Sequence, residues 1–226
     1  MKKTELIPAI LPKDFDELEY KVGLVKGFVK TIQVDICDGQ FVQNATWPYK
    51  KSDESFEKIL KEEQGMPDWQ DVNYEFDLMV NRPEEIVEEW LMAGAMRIVL
   101  HVESRGDILG AIEKIGDKAS VGLALNIETP IDVLDEYIGK IEFVQCMGIG
   151  NIGFQGQKFD DRVIDKIKEI RTKYPEMIIS VDGGVTLESA PILVHSGANR
   201  IIVGSAIYES ENAVEAVQKF KRAVVI

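Results

Sequence analysis

The chain has 226 residues, of which 45% are hydrophobic and 29% charged, a globular composition too apolar for a disordered chain. Its 39 acidic and 26 basic residues give a formal net charge of −13. That balance argues against a nucleic-acid partner or a polybasic membrane-surface role, but leaves room for a phosphate held locally by backbone amides.

The chain opens MKKTELIPAILPKDFDELEY, where Pro8 and Pro12 break the apolar run, so no signal peptide is expected. No later run reaches the ~18–20 apolar residues of a bilayer span. Short apolar or β-branched runs then recur: Glu5–Leu11, Thr31–Ile36, Val72–Met79, Met96–His101, Ser120–Asn126, Ile141–Met147, Met177–Asp182 and Arg200–Gly204. Nearly continuous runs of this kind mark parallel strands covered on both faces. Amphipathic helices lie between them. Arg82–Ala95 carries Ile86, Val87, Trp90 and Leu91 on one face, with Pro83 and two glutamates at its start. Asp160–Tyr174 spaces Val163, Ile164, Ile167 and Ile170 helically, and Ala213–Val224 closes the chain in the same way.

Eight strand–helix units in this length give about 28 residues each, near the ~30 of a βαβ unit. One break in the rhythm is a long insertion at about 40–71, between the second and third strands. No linker composition divides the chain. The expectation is an α/β fold, a single (β/α)₈ TIM barrel domain over residues 1–226, with a doubly wound open sheet as the competitor. Two cysteines, Cys37 and Cys146, cannot build a disulfide framework and fit a reducing, cytoplasmic compartment.

In a barrel, chemistry gathers where strands end. Those positions are Asp35 and Asp38, Asp77, His101, Asn126, Met147, Asp182 and Gly204. A single aspartate there reads equally as a helix cap. Three of them after strongly apolar strands (IQVD, YEFD, IISVD) converge on one mouth, where like charges shift each other's protonation. Glycines add a second signal in GFQGQKF (Gly153–Phe159), DGGV (Asp182–Val185) and GSAI (Gly204–Ile207), after the sixth, seventh and eighth strands. Glycine lets a backbone approach an anion closely, and the last two strands are a common phosphate site in barrels.

Taken together, VDICDGQFV (Val34–Val42), FDLMV (Phe76–Val80), GFQGQKF, SVDGGV and GSAIY resemble the ribulose-phosphate 3-epimerase family over nearly the whole chain. PAIL near the start and HVES after the fourth strand also look like that family. The resemblance implies a ribulose-phosphate-binding barrel that interconverts ketose phosphates, D-ribulose 5-phosphate and D-xylulose 5-phosphate first among them. It implies that Asp35 and Asp182 are the catalytic acid and base. Gly153, Gly156, Gly183, Gly184, Gly204 and Ser205 would bind the phosphate. It also implies a divalent metal, no organic cofactor, and a possible homo-oligomer. Chemically, inverting a carbon beside a carbonyl needs a base on one face, an acid on the other, and positive charge near the enediolate oxygens.

The chain departs from that pattern at the sugar end. Gln33 and Asp77 stand where the family has its two metal-binding histidines, and Ala9 stands where it has a serine that bonds substrate. His101 and His195, the two histidines of the chain, match neither position. Two readings follow. In one, Gln33, Asp35, Asp77 and Asp182 form an all-oxygen metal site, which suits Mg²⁺ or Mn²⁺ better than Zn²⁺. In the other, the metal is lost and the barrel isomerises another sugar phosphate or only binds one. A D-x-K-x-x-D decarboxylase or hexulose-phosphate synthase site is disfavoured, since VDICDGQF has no lysine.

The remaining features read as follows. Cys37 is a packing residue rather than a reactive thiol. Met79 and Met147 line the pocket or fill the core, His101 is a hydrogen-bonded structural histidine, and Asn126 either reaches substrate or caps the next helix. Trp47, Pro48 and Tyr49 are placed to form an aromatic lid or an interface patch, and Lys50–Lys51 a solvated turn.

Overall fold

The computed structural model describes residues 4–50 and 54–225. Among them the elements run β1 (Glu5–Ile10), α1 (Phe15–Val25), β2 (Thr31–Cys37), α2 (Ser55–Leu60), β3 (Asn73–Met79), α3 (Pro83–Met92), β4 (Ala95–His101) and α4 (Ile108–Ile115). The second half continues with β5 (Ser120–Leu125), β6 (Phe143–Met147), α5 (Arg162–Lys173), β7 (Ile178–Asp182), α6 (Ser189–Ser196), β8 (Arg200–Val203), α7 (Ser205–Tyr208) and α8 (Ala213–Ala223). Every strand pairs in parallel with its sequence neighbour, and β8 pairs with β1, closing the barrel. Closure excludes the open sheet. One connection is only partly helical: β5 and β6 are joined by a 3-10 turn, Ile131–Glu136. Pro130 precedes it and Gly139 follows at positive φ, so the segment is too short to propagate an α-helix.

Helix starts follow local chemistry. Asp14, Asp107 and Asn212 each accept a backbone N–H three residues on, capping α1, α4 and α8, and Pro83 opens α3. The outer faces of the strands, such as Ile32, Val34 and Ile36 of β2 and Tyr74, Phe76 and Leu78 of β3, bury against the helices in one continuous core. With a side-chain period of two, the alternate residues point into the barrel. No helix among the described residues is long and apolar enough to cross a membrane.

The lower, N-terminal end of the barrel is filled by charge. Arg97 bridges Glu5 at 2.9 Å and the fully buried Glu75 at 3.3 Å, and Thr31 Oγ1 donates to Glu5 at 2.7 Å. Arg200 lies over the Phe143 ring, 4.6 Å from its centroid. That ring needs Gly122 beside it, because a Cβ there would stand 2.3 Å from a ring carbon.

The described residues of the 40–71 segment contribute to the wall, with Val42, Thr46, Trp47, Ile59 and Met66 buried. Trp47 is fully buried, with its ring centroid 5.5 Å from those of Phe15 and Phe56 and 6.0 Å from that of Trp90. Its Nε1 donates to Ser55 Oγ at 2.7 Å. The lid and interface readings of Trp47 are therefore corrected. An indole with three aromatic neighbours gains more from burial than an exposed lid position offers. Tyr49 and Lys50 are exposed, and Lys51 lies outside the described residues. Trp47→Ala is expected to cost about 3–5 kcal/mol of folding stability through the cavity it leaves, read as a lowered urea midpoint at unchanged slope.

Candidate active site

The upper interior of the barrel is built by strand alternation. On β2 the inward residues are Gln33, Asp35 and Cys37, and on β3 they are Glu75, Asp77 and Met79, with the register setting Asp35 opposite Asp77. Across the barrel, Met147 on β6 is in register with Asp182 on β7. Each of Asp35, Asp77 and Asp182 offers a carboxylate oxygen, and these oxygens lie within 4.8 Å of one another, all three residues being buried.

Carboxylates this close are held by hydrogen-bond donors on the barrel strands. Gln33 Nε2 donates to Asp35 Oδ1 at 2.8 Å and to Asp182 Oδ2 at 3.0 Å, bridging the two. Asp77 is held on both oxygens, Oδ1 by His101 Nε2 at 3.0 Å and Oδ2 by Gln145 Nε2 at 2.9 Å. Burial, with the neighbouring Asp182 and Asp77 charges, holds the Asp35 carboxyl well above the usual carboxylate range. Asp182 is pushed up to about 7, first by burial and then by Asp77. For His101, burial works against the charged ring, but the facing Asp77 carboxylate outweighs it and raises its proton affinity.

The donor set is all oxygen, and three carboxylates that repel one another fit a divalent cation. Gln33 presents its nitrogen to the aspartates, and its Oε1 is buried with no hydrogen-bond partner. As a fourth ligand, it would have to turn its amide over.

Asp35 and Asp182 line one cavity together with Gly153, Gly156, Gly183, Gly184, Gly204 and Ser205, while the fully buried Asp77 sits behind that lining. The glycines at 183 and 184 hold φ of 101° and 66°. A Cβ on Gly184 would stand 2.8 Å from the Phe159 backbone nitrogen, so the turn from β7 admits no side chain there. Met79 and Met147 line the same cavity.

Other expected residues stand apart. Asp38 organises the loop after β2, accepting from the Gln40, Phe41 and Asn81 backbone nitrogens. Cys37 is buried, and burial pushes its thiol up, consistent with packing. His101 is the hydrogen-bonded histidine expected, now found against Asp77, while His195 bonds only the Pro191 carbonyl of its own helix. Asn126 is not among the residues lining the cavity, and among the described residues its buried Oδ1 accepts no hydrogen bond. Two residues that sequence reasoning passed over belong here. Gln145 could have been found by parity, as a polar residue two before Met147 in an apolar strand. Gln155, in the loop after β6, lines the cavity and donates to the Ala9 carbonyl at 3.1 Å.

Residues 5–208 match the ribulose-phosphate 3 epimerase family. The ribulose-phosphate 3-epimerase of Bacillus subtilis is 30% identical over 224 residues, an alignment that covers 96% of this chain and 98% of that one. The enzyme of the same name from Synechocystis is 31% identical over 226 residues, covering 96% and 92%. Among solved structures, a 3-hexulose-6-phosphate synthase shares the fold with a TM-score of 0.72 at 19% identity, covering 98% of this chain and 100% of that one. With the match spanning most of its length, this chain belongs to the ribulose-phosphate 3-epimerase family.

Proposed function

We propose that this chain, working as a single barrel domain in the cytoplasm, is an epimerase that interconverts D-ribulose 5-phosphate and D-xylulose 5-phosphate. The observation that carries the reading is the pairing of two buried carboxylates, Asp35 and Asp182, with a glycine cradle in one cavity. The reaction inverts C3, the carbon next to the carbonyl. One aspartate removes the C3 proton as a base, leaving an enediolate, and the other returns a proton to the opposite face. Burial and the neighbouring carboxylates raise the proton affinity of both carboxyls, which with no cation bound favours a proton kept on one of the pair while the other acts as base. Gln33, donating to both, holds them at a fixed separation. Backbone amides at Gly183, Gly184, Gly204 and Ser205, with Gly153 and Gly156 in the loop above, bind the phosphate, giving the substrate its register on the acid and base.

A divalent cation fits beside this pair, held by Asp35, Asp77 and Asp182 with Gln33 as a further oxygen, and Mg²⁺ or Mn²⁺ suits those donors better than Zn²⁺. The chemistry it supplies when bound is neutralisation of negative charge on the substrate oxygens flanking the reacting carbon. His101 and Gln145 keep Asp77 aimed inward, so the carboxylate is preorganised whether or not a cation is present.

Asp182→Asn is expected to lower kcat by about a hundred- to ten-thousand-fold while leaving binding of D-ribulose 5-phosphate nearly intact. Turnover within about tenfold of wild type, measured as D-xylulose 5-phosphate formed and as solvent deuterium entering C3, would remove the two-aspartate mechanism. Chelation followed by Mn²⁺ or Mg²⁺ is expected to restore exchange better than Zn²⁺ does, with bound metal read by elemental analysis. A third outcome concerns stability. The folded chain holds protons on Asp35 and Asp182 that the unfolded chain releases at about pH 4, so metal-free protein loses stability as pH rises from about 4 through about 7. Melting temperatures across that range should fall with pH, less steeply in Asp182→Asn, and added Mn²⁺ should flatten the slope.

A further inference from the structure

Gln155 and Gln157 are polar side chains of the cavity wall that neither the acid/base pair nor the glycine cradle employs, and of the two Gln155 is the one fixed against β1. It reaches in from the loop between β6 and α5, and its Nε2 donates to the Ala9 carbonyl on β1. The same nitrogen lies over Gly204 at the end of β8, where a Cβ would meet it at 2.6 Å. Gly204 is thus left bare on the side that faces this amide. At the same place β1 has nothing polar of its own to offer, since Ala9 faces the cavity with a methyl group.

A primary amide carries two N–H donors and an acceptor oxygen. Ala9 takes one N–H, and no other side-chain hydrogen bond of Gln155 is made among the described residues. One donor and the Oε1 acceptor are therefore available to whatever fills the cavity. The position adjoins both ends of the site: Gln155 shares the lining with Asp35 and Asp182 and lies against Gly204.

We propose that Gln155 is a specificity-determining residue for the sugar phosphate, its amide bonding ligand oxygens between the reacting carbon and the phosphate and supplying at the end of β1 the polar contact that Ala9 lacks. The role rests on the reading of the cavity as a ketose-phosphate site. A neutral amide can donate to a hydroxyl or to a phosphate oxygen and can accept from a hydroxyl. A carboxylate of the same shape can only accept, and it repels the phosphate. By holding the loop to β1 through one hydrogen bond, the residue also ties the glycine-rich segment Gly153–Gly156 to the opposite side of the mouth.

The test compares Gln155→Ala and Gln155→Glu with wild type, using D-ribulose 5-phosphate turnover, inhibition by inorganic phosphate, and melting temperature. Removal of one neutral hydrogen-bonding group is expected to raise KM about three- to tenfold in Gln155→Ala, with kcat within about twofold. The isosteric Gln155→Glu is expected to raise KM and the inhibition constant of phosphate by about thirtyfold or more, because it places like charge against the anion. Both variants lose the bond to Ala9 and should melt slightly and equally below wild type, so the larger KM and phosphate effects of Gln155→Glu separate binding from loop anchoring. KM and phosphate inhibition unchanged in both variants, or a loss confined to kcat, overturns the proposal while leaving the epimerase reading standing. Wild-type protein that neither turns over the sugar phosphate nor binds inorganic phosphate overturns both.

Discussion

Three buried carboxylates share the upper interior of the barrel, and much of that end is arranged around their proximity. Charged groups so confined must neutralise, pair with a cation, or be held by donors on fixed elements. The chain uses the last directly. Two glutamines and a histidine aim four hydrogen bonds at the cluster. The loop after β2 fixes Asp35 from behind: Thr46 Oγ1 donates to the Asp35 carbonyl at 2.9 Å and accepts from the Cys37 nitrogen at 2.8 Å. Trp47 follows at once and anchors that loop in the aromatic core. Positions that carry no catalytic proposal therefore set where the carboxylates stand.

The fold was legible because parallel strands write themselves as continuous apolar runs, and each run found here has its strand to within one or two residues. Asp35, Asp77 and Asp182 were legible for the same reason: a carboxylate ending such a run has few places to point except the mouth. Two things were not. Trp47 sits in a polar-flanked insertion, and local sequence does not say whether an aromatic there turns outward or inward; Phe56 of the same insertion, with Phe15 and Trp90 from α1 and α3, decides it. Gln145 and Gln155 were passed over because glutamine carries no motif of its own. Their meaning comes from partners across the barrel, Asp77 and the Ala9 carbonyl.

The likeness to a 3-hexulose-6-phosphate synthase is one of fold, at 19% identity, and the lysine-bearing motif associated with that chemistry has no counterpart in VDICDGQF. Family membership comes instead from the sequence match over residues 5–208. The departures from the family pattern are grouped. Ala9, Gln33 and Asp77 lie on β1, β2 and β3, while the glycine segments follow β6, β7 and β8. The glycine segments thus sit on one side of the mouth, and the amides with the additional carboxylate on the other. The neighbours fit the replacement, since Asp77 arrives with Gln145 and His101 already bonded to it.

The lower end of the barrel has a bearing on this site although it touches none of it. Glu5, Glu75, Arg97 and Arg200 pair across the floor, and Arg200 lies flat on Phe143. With the floor filled by these pairs, the cavity that Asp35 and Asp182 line opens at the upper end of the barrel. A ligand seated in the cavity therefore closes the same route by which the aspartates below it would equilibrate with water. In a two-aspartate exchange the hydrogen that leaves one carbon face and the hydrogen that arrives on the other belong to different carboxyls, so the product carries whatever isotope the second carboxyl held when the sugar entered.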